Sequence, residues 1–379
     1  MLDLPPKRPS WVLKSIAVLL FAFPLASQSM TLTRAGSRLL IDNKPIRLVG
    51  YGCYGMVSES SFESETFFDR LTESRINLVR VWVLFHWTND LTPFEGSRAS
   101  RYDLLKQNDA FYSRLKNFVG MAEERGIVVQ VCLFDGVALT GDNSTNRWPN
   151  FPYNTVNNFQ DYLTSPGQFN DVPSEWWSEV TGPLIDRVVD ELGNFGNVIY
   201  EAVNEPDTHG LDTTSPQFDR DVVDRLYDLL HRPDYQGSKI ISVNPEAALL
   251  REWAISYGKV DLVSYHIKST DAPQGISDVG KPVLISNDGD TSQRTEAFGG
   301  LDPVSRLARI QSMLDNTFPN EEVDGTRHFE CLDKGLYGST WTTDNYDPRY
   351  ENRNEEIIEL LSGYAPIIPE RPASQLRLR

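Results

Sequence analysis

The chain has 379 residues, 40% hydrophobic and 23% charged, with 53 acidic against 36 basic side chains and a net charge of −17. This is globular composition with enough length for a sizeable core, and its acidity excludes a nucleic-acid partner, because no basic surface offsets the phosphates. Three cysteines (Cys53, Cys132, Cys331) exclude a disulfide scaffold and allow at most one bridge, while five scattered histidines without H-x-x-x-H or C-x-x-C spacing give no metal-ligand set.

Residues 1–29 differ from the rest. Lys7, Arg8 and Lys14 precede the apolar stretch SIAVLLFAFPLA, and small, polar SQS follows. A basic start, an apolar segment of about 7–15 residues and a small-residue exit mark a secretory signal. The segment is short against the roughly 20 apolar residues of a membrane helix. Residues 1–29 are therefore expected to be removed and the remainder to be secreted or periplasmic, with no stable membrane insertion; a retained N-terminal anchor is the competing reading. From residue 30, TLTRAGSRLLIDNKPIRLVGYG reads as a hairpin turning at Asn43-Lys44-Pro45 and leading into a first strand. Helix 61–74, strand 77–85, helix 106–125 and strand 126–134 follow. After a long insertion come helix 174–193, strand NVIYEAV, helix 215–231, strand 239–243, helix 246–257, and strands 261–266 and 282–286. Helix 303–316, strand 336–341 and helix 352–363 complete the series, and residues 366–379, with three prolines and three arginines, form a tail.

Near-continuous apolar strands separated by helices argue for a parallel sheet covered on both faces. Eight of them between about 48 and 341 fit a (β/α)8 TIM barrel, one domain over residues 30–365. A doubly wound sheet competes, but no Gly-x-Gly-x-x-Gly follows an early strand. The insertion, residues 135–173, follows the third strand, so in a barrel it stands on the face where βα loops build the site. Its aromatics, Trp148, Phe151, Tyr153 and Phe159, mark an ordered loop expected to wall a cleft.

The carboxyl ends of barrel strands meet at one mouth. They would bring together Arg80 and Trp82, Asn204 and Glu205, Tyr265 and His266, Asn287 and Asp288, and Trp341. Two carboxyl groups flanking a sugar acetal are what glycosidic cleavage requires, about 5–5.5 Å apart for retention and farther for inversion. Plainer readings stand beside these. Asn204-Glu205-Pro206 could end a strand and cap a helix, Arg80 could pair with a barrel carboxylate, and His266 could be a satisfied core histidine. Trp87, Trp148 and Trp253 are packing residues or sugar-stacking faces, Trp176-Trp177 pack a helix against the insertion, and Glu201 and Glu246 are supporting or surface groups.

YEAVNEP resembles the fourth-strand motif of the retaining glycoside hydrolases of clan A, particularly the family 5 cellulase-like enzymes. The resemblance implies that Asn204 holds the sugar's 2-hydroxyl and Glu205 is the general acid/base. INLVRVWV resembles the second-strand motif, which makes Arg80 the residue that steadies the nucleophile. VSYHIK resembles the sixth-strand His-x-Tyr motif at His266, with Lys268 where the tyrosine is usual. GSTWTTD resembles the eighth strand, whose tryptophan (Trp341 here) floors the reacting-sugar subsite. The seventh strand departs from the pattern: KPVLISNDGD puts Asn287 where the family carries its nucleophilic Glu. An amide cannot take that role, so Asp288 is the expected second catalytic carboxyl, with Asn287 beside the substrate; Asp290 and a disabled site are the alternatives. A one-residue shift moves a strand side chain to the opposite face, so the register of this strand decides.

The expectation is an exported, monomeric barrel enzyme cleaving a β-linked oligo- or polysaccharide. Glu205 and Asp288 would be catalytic and Arg80, Asn204, His266, Asn287 and Trp341 would bind substrate, with no cofactor or metal. A carbohydrate-binding barrel without catalysis and a barrel lyase using His266 and Lys268 remain alongside it.

Overall fold

The protein is described by a computed structural model over residues 30–84, 91–139, 147–165, 168–169, 174–206, 216–246, 248–268, 279–289, 303–319, 323–333 and 354–366. The expectations for residues 1–29, Trp87, Asp290, Trp341 and the tail beyond 366 fall outside these residues.

Eight parallel strands close into a barrel: β1 (Val49–Cys53), β2 (Leu78–Trp82), β3 (Val128–Asp135), β4 (Val198–Asn204), β5 (Ile240–Asn244), β6 (Leu262–Lys268), β7 (Val283–Gly289) and β8 (Arg327–Asp333). Around them lie α1 (Ser64–Glu73), α2 (Asp109–Glu124), α3 (Gly182–Leu192), α4 (Gln217–Leu230), α5 (Ala248–Ser256), α6 (Pro303–Thr317) and α7 (Asn354–Ser362). This is the (β/α)8 architecture expected from the strand pattern. Each helix turns one apolar face to the strands; in α3 that face is Leu184, Ile185, Val188, Val189 and Leu192. Asn108 caps α2 by accepting from the Ala110 amide at 3.1 Å.

Two elements differ from expectation. The eighth strand is not 336–341 but Arg327–Asp333, which pairs with β7 on one side and β1 on the other. Its sequence, RHFECLD, looks polar because its inward positions carry His328 and Glu330 while Phe329 and Cys331 face the helices. Residues 334–353 fall outside the described residues. Between β2 and α2, where a helix was expected to begin at 106, Phe94–Ser97 and Arg101–Gln107 pair as an antiparallel hairpin.

The barrel interior is layered. At its amino-terminal end Leu78, Val128, Ile199, Ile240, Leu262 and Leu284 pack with Met30, Leu32 and Leu39, so the entry sheet (Leu32–Ala35, Arg38–Ile41, Lys44–Pro45) plugs the bottom. The middle layer is polar: Arg80, Gln130, Glu201, Ser242, Ser264, Ser286 and Glu330, all buried. Above it Tyr54, Trp82, Cys132 and Leu332 cluster at the carboxyl-terminal mouth. Burying so many polar groups is tolerable only if they satisfy one another, so this layer is where the fold trades stability for a site.

The insertion after β3 has its own aromatic core. Phe151, Tyr153 and Phe169 lie within ring contact of each other, Phe94 of the hairpin meets Tyr153 at 5.9 Å, and Phe169 meets Phe218 of α4 at 4.4 Å. Trp176 packs on Tyr162 at 4.5 Å, joining the helix ahead of α3 to the insertion as expected. All three cysteines are buried free thiols. Among the described residues no helix is long and apolar enough to cross a membrane.

Candidate active site

Strand β4 delivers the site. Its inward face carries Ile199 and Glu201; its register against β5 then slips by one residue, so that Asn204 pairs with Asn244. The slip brings Asn204 into the mouth. Glu205 follows in a left-handed conformation, φ 45°, a backbone state that costs a non-glycine residue on the order of 1–3 kcal/mol. Its amide donates to the Asn244 carbonyl at 3.2 Å, which holds the turn. The carboxyl that results is 6% exposed, with Oε1 3.4 Å from His266 Nε2 and 3.5 Å from Asn204 Nδ2. The His266 contact lacks hydrogen-bond alignment, since neither ring nitrogen has a hydrogen-bond partner.

Arg80 on β2 organises the floor. Its guanidinium grips Glu201 through Nε at 2.9 Å and through a very short Nη2 contact, and Nη2 also donates to Asn204 Oδ1 at 2.7 Å. Nη1 donates to the Ser286 hydroxyl at 3.2 Å, and the guanidinium carbon lies 4.8 Å from the Trp82 ring centre. Burial opposes the guanidinium charge, but the Glu201 and Glu330 carboxyls outweigh it and hold the pKa above its ordinary value. Asn204, with its oxygen on Arg80 and its nitrogen on Asp135 Oδ1 at 2.9 Å, has a fixed amide orientation.

Beyond Ser286 lies Glu330, which accepts from that hydroxyl at 2.9 Å. Burial pushes the Glu330 carboxyl up to about 7, and neighbouring Glu201 adds to the rise, against the pull of Arg80 and Ser286. Burial likewise raises the Cys132 thiol well above its usual range, keeping it neutral at the mouth.

Of the residues expected at the site, Arg80, Asn204, Glu205 and His266 converge. Asn287 does not. Its side-chain nitrogen donates to the Ile267 carbonyl at 3.0 Å and lies 3.3 Å from Met313 Sδ of α6, so the amide sits on the helix side of the sheet. Its neighbour Ser286 faces inward, and alternation along the strand is the reason for the difference. Asp288 belongs to β7, in register with Lys268 and Leu332. Trp148 packs on Phe151 and Trp253 stacks on Tyr257. Glu201, read as a supporting or surface group, is wholly buried on Arg80.

Sequence reasoning missed Asp135, Asn244 and Glu330. The first two are the last residues of their strands, LFD and SVN, and an even search of all strand ends would have found them. Asn244 is fully buried with neither amide atom hydrogen-bonded, and Trp82 Nε1 is also without a partner.

A closed (β/α)8 barrel with an Asn-Glu pair at the exit of its fourth strand and an arginine beneath it has the form of a barrel glycoside hydrolase. The family model for cellulase (glycosyl hydrolase family 5) matches residues 40–229, half of the chain, a stretch that includes Arg80, Asn204 and Glu205. The chain belongs to glycosyl hydrolase family 5, a family of O-glycosyl hydrolases. Its fold is similar to that of a family 5 mannosidase from Rhizomucor miehei (TM-score 0.58, 10% identity, 89% of this chain and 97% of that one). It is also similar to the endo-1,4-beta-mannanase from Rhizomucor miehei (TM-score 0.54, 13% identity, 80% and 90%). A longer Bacteroides vulgatus protein shares the fold too (TM-score 0.57, 14% identity, 88% of this chain), and this chain spans 60% of its length. No curated protein matches the chain in sequence.

Proposed function

We propose that this glycoside hydrolase cleaves a β-linked oligo- or polysaccharide outside the cytoplasm, with Glu205 as general acid/base and Asp288 as the second carboxyl. The observation that carries the reading is the fixed pair at the end of β4. Asn204 is oriented by Arg80 and Asp135, and the buried Glu205 carboxyl stands beside it against His266. Glu205 protonates the leaving oxygen and then, as carboxylate, activates water; Asn204 holds the sugar's 2-hydroxyl, a hydrogen bond that strengthens in the oxocarbenium-like transition state. Trp82, Asn244 and His266 supply the polar atoms that meet the other hydroxyls.

Support for Asp288 comes from alternation. Position 288 falls two residues beyond Ser286, on the same face of β7, and its register partner Leu332 belongs to the mouth cluster. The residue at the family's nucleophile position, Asn287, is turned to the helices instead. The insertion after β3 is assigned the cleft wall, on the strength of its place after a strand end and its packed aromatics. The signal-like residues 1–29 support export.

Glu205→Gln is the test, since it keeps shape and removes the proton. Turnover of an aryl β-glycoside by the purified protein should fall by at least about 10²-fold, the usual worth of a general acid/base. Oligosaccharide affinity should persist. Near-normal turnover of an unactivated glycoside by the variant would remove Glu205 from this role.

A further inference from the structure

Glu330 is a buried carboxyl of the described barrel interior that the proposed chemistry leaves unused, and the fold goes to some length to accommodate it. Strand β1 faces it with two glycines. A Cβ on Gly52 would stand 2.9 Å from Glu330 Oε1, and one on Gly50 would meet Glu330 Cβ at 3.1 Å and Leu78 Cδ2 at 2.8 Å. No side chain can therefore rise from β1 at this level, and the carboxyl occupies the room. On the other side Ser286 bridges it to Arg80, donating to Oε2 at 2.9 Å while receiving Nη1 at 3.2 Å. Oε1 has no hydrogen-bond partner.

One arginine thus faces two carboxyls, and Arg80 also holds the Asn204 oxygen. We propose that Glu330 is a positioning residue of the mouth: through Ser286 it fixes the third edge of the Arg80 guanidinium, and by taking or releasing a proton it sets the net charge under Glu205. The proposal rests on the glycosidase reading for its consequence, not for its geometry. With Glu330 protonated, Arg80 is matched one to one by Glu201 and the floor is neutral. With Glu330 ionised, the floor carries a net negative charge, which opposes loss of the Glu205 proton and favours positive charge developing on the sugar.

Among the described residues, the charged and titratable groups around Glu330 are few. Arg80 approaches from β2, Glu201 from β4 and His266 from β6, with the neutral Cys132 thiol on β3 behind Arg80. His328, two residues earlier on its own strand, is kept uncharged by burial. Ser286 on β7 and the β1 glycines complete the ring. Burial brings the Glu330 carboxyl to about 7.

The experiment compares wild type, Glu330→Gln and Ser286→Ala. Carbon NMR of protein labelled at glutamate carboxyls should show one buried signal titrating near 7 that is missing in Glu330→Gln. In Ser286→Ala the same signal should move to higher pH, because the charged form loses its donor. On an aryl β-glycoside, the alkaline limb of the kcat/KM profile should move to lower pH in Glu330→Gln by on the order of half a unit, with the acid limb in place. A residue with a merely structural role would change kcat equally at every pH. Superimposable profiles, or a buried signal that does not titrate between pH 5 and 9 (roughly, the range spanned by raised carboxyls), would overturn the proposal. An inert wild type with the titration intact would instead count against the glycosidase reading and leave the network standing.

Discussion

Gly136 is the first residue after β3, and it lies against the backbone of Glu205, the proposed acid. A Cβ built there would stand 2.1 Å from the Glu205 carbonyl oxygen, 2.8 Å from its carbon and 2.9 Å from the Asn204 oxygen. Ordinary contact begins at 3.4 Å, so Gly136→Ala requires a retreat of about 1.3 Å, the difference between 3.4 and 2.1. The atoms in the way are backbone, not the flexible end of a side chain. Glu205 is already in a left-handed conformation and tied by its amide to Asn244, so it has little freedom to yield. Overpacking of this kind costs roughly 1–3 kcal/mol in stability, and a displacement near 1 Å at a reacting group costs on the order of 10²-fold in rate. The assay is kcat on an aryl β-glycoside together with a thermal melt. Gly120→Ala serves as a control of opposite sign. It lies in α2 with the Phe195 ring at an ordinary 3.5 Å, and alanine favours a helix interior by roughly 0.8–1 kcal/mol over glycine, so that variant should melt higher. If Gly136→Ala keeps both its melting temperature and its kcat within a factor of a few, the strand-three exit does not constrain the acid and the reasoning fails.

Two further outcomes follow from buried charge. His328 accepts from the Leu48 amide at 3.1 Å, and burial pushes its pKa down to about 3, so the folded protein binds fewer protons than the unfolded chain below pH 6.5. Its contribution is complete above that value and is lost as pH falls toward 3. It amounts to about 4–5 kcal/mol at the limit. Urea midpoints should therefore fall more steeply with acid in wild type than in His328→Asn, and parallel slopes would contradict this; carboxyls such as Glu330 contribute equally to both. Arg80→Met leaves the buried Glu201 without its counter-charge, with the Gln130 amide still donating to it, and should cost about 3–5 kcal/mol by chemical denaturation. Glu201→Gln should cost less, because Arg80 keeps Glu330 through Ser286, and the reverse order would refute this account of the floor.

The parts of this fold legible in the sequence were those whose chemistry is one-sided. β3 and β4 are apolar on both faces for most of their length, VVQVCLF and VIYEAV, so their existence and the exit at Asn204 could be read directly. Strand β8 was not legible. Its inward positions below Leu332 are polar because they serve the middle layer, and its apolar positions on the helix side, Phe329 and Cys331, are only two, so LYGSTW outcompeted it as a candidate. The same polarity hid Glu330. Periodicity detects a strand by the contrast between its faces, and a strand that turns its polar face inward reverses that contrast. The 94–107 hairpin was missed for a local reason: its turn depends on Gly96 and Arg101 at positive φ, and a non-glycine residue in that region carries no clear sequence mark.

The seventh strand shows how a resemblance and a physical rule divide the work. Family register alone points to Asn287, and composition alone cannot choose between Asn287 and Asp288, since either residue fits a strand end. What separates them is the parity of the strand. Leu284 belongs to the apolar plug and Ser286 to the Arg80 floor, while Asn287 bonds on the helix side. Ser286 itself is fixed in turn by β8, through the bond to Glu330. The unrecognised carboxyl on an unrecognised strand therefore anchors the register on which the proposal of Asp288 rests. A substitution that unseats Glu330 from Ser286 should disturb position 288 as well as Arg80, which is why the shape-preserving Glu330→Gln, and not a truncation, isolates its charge.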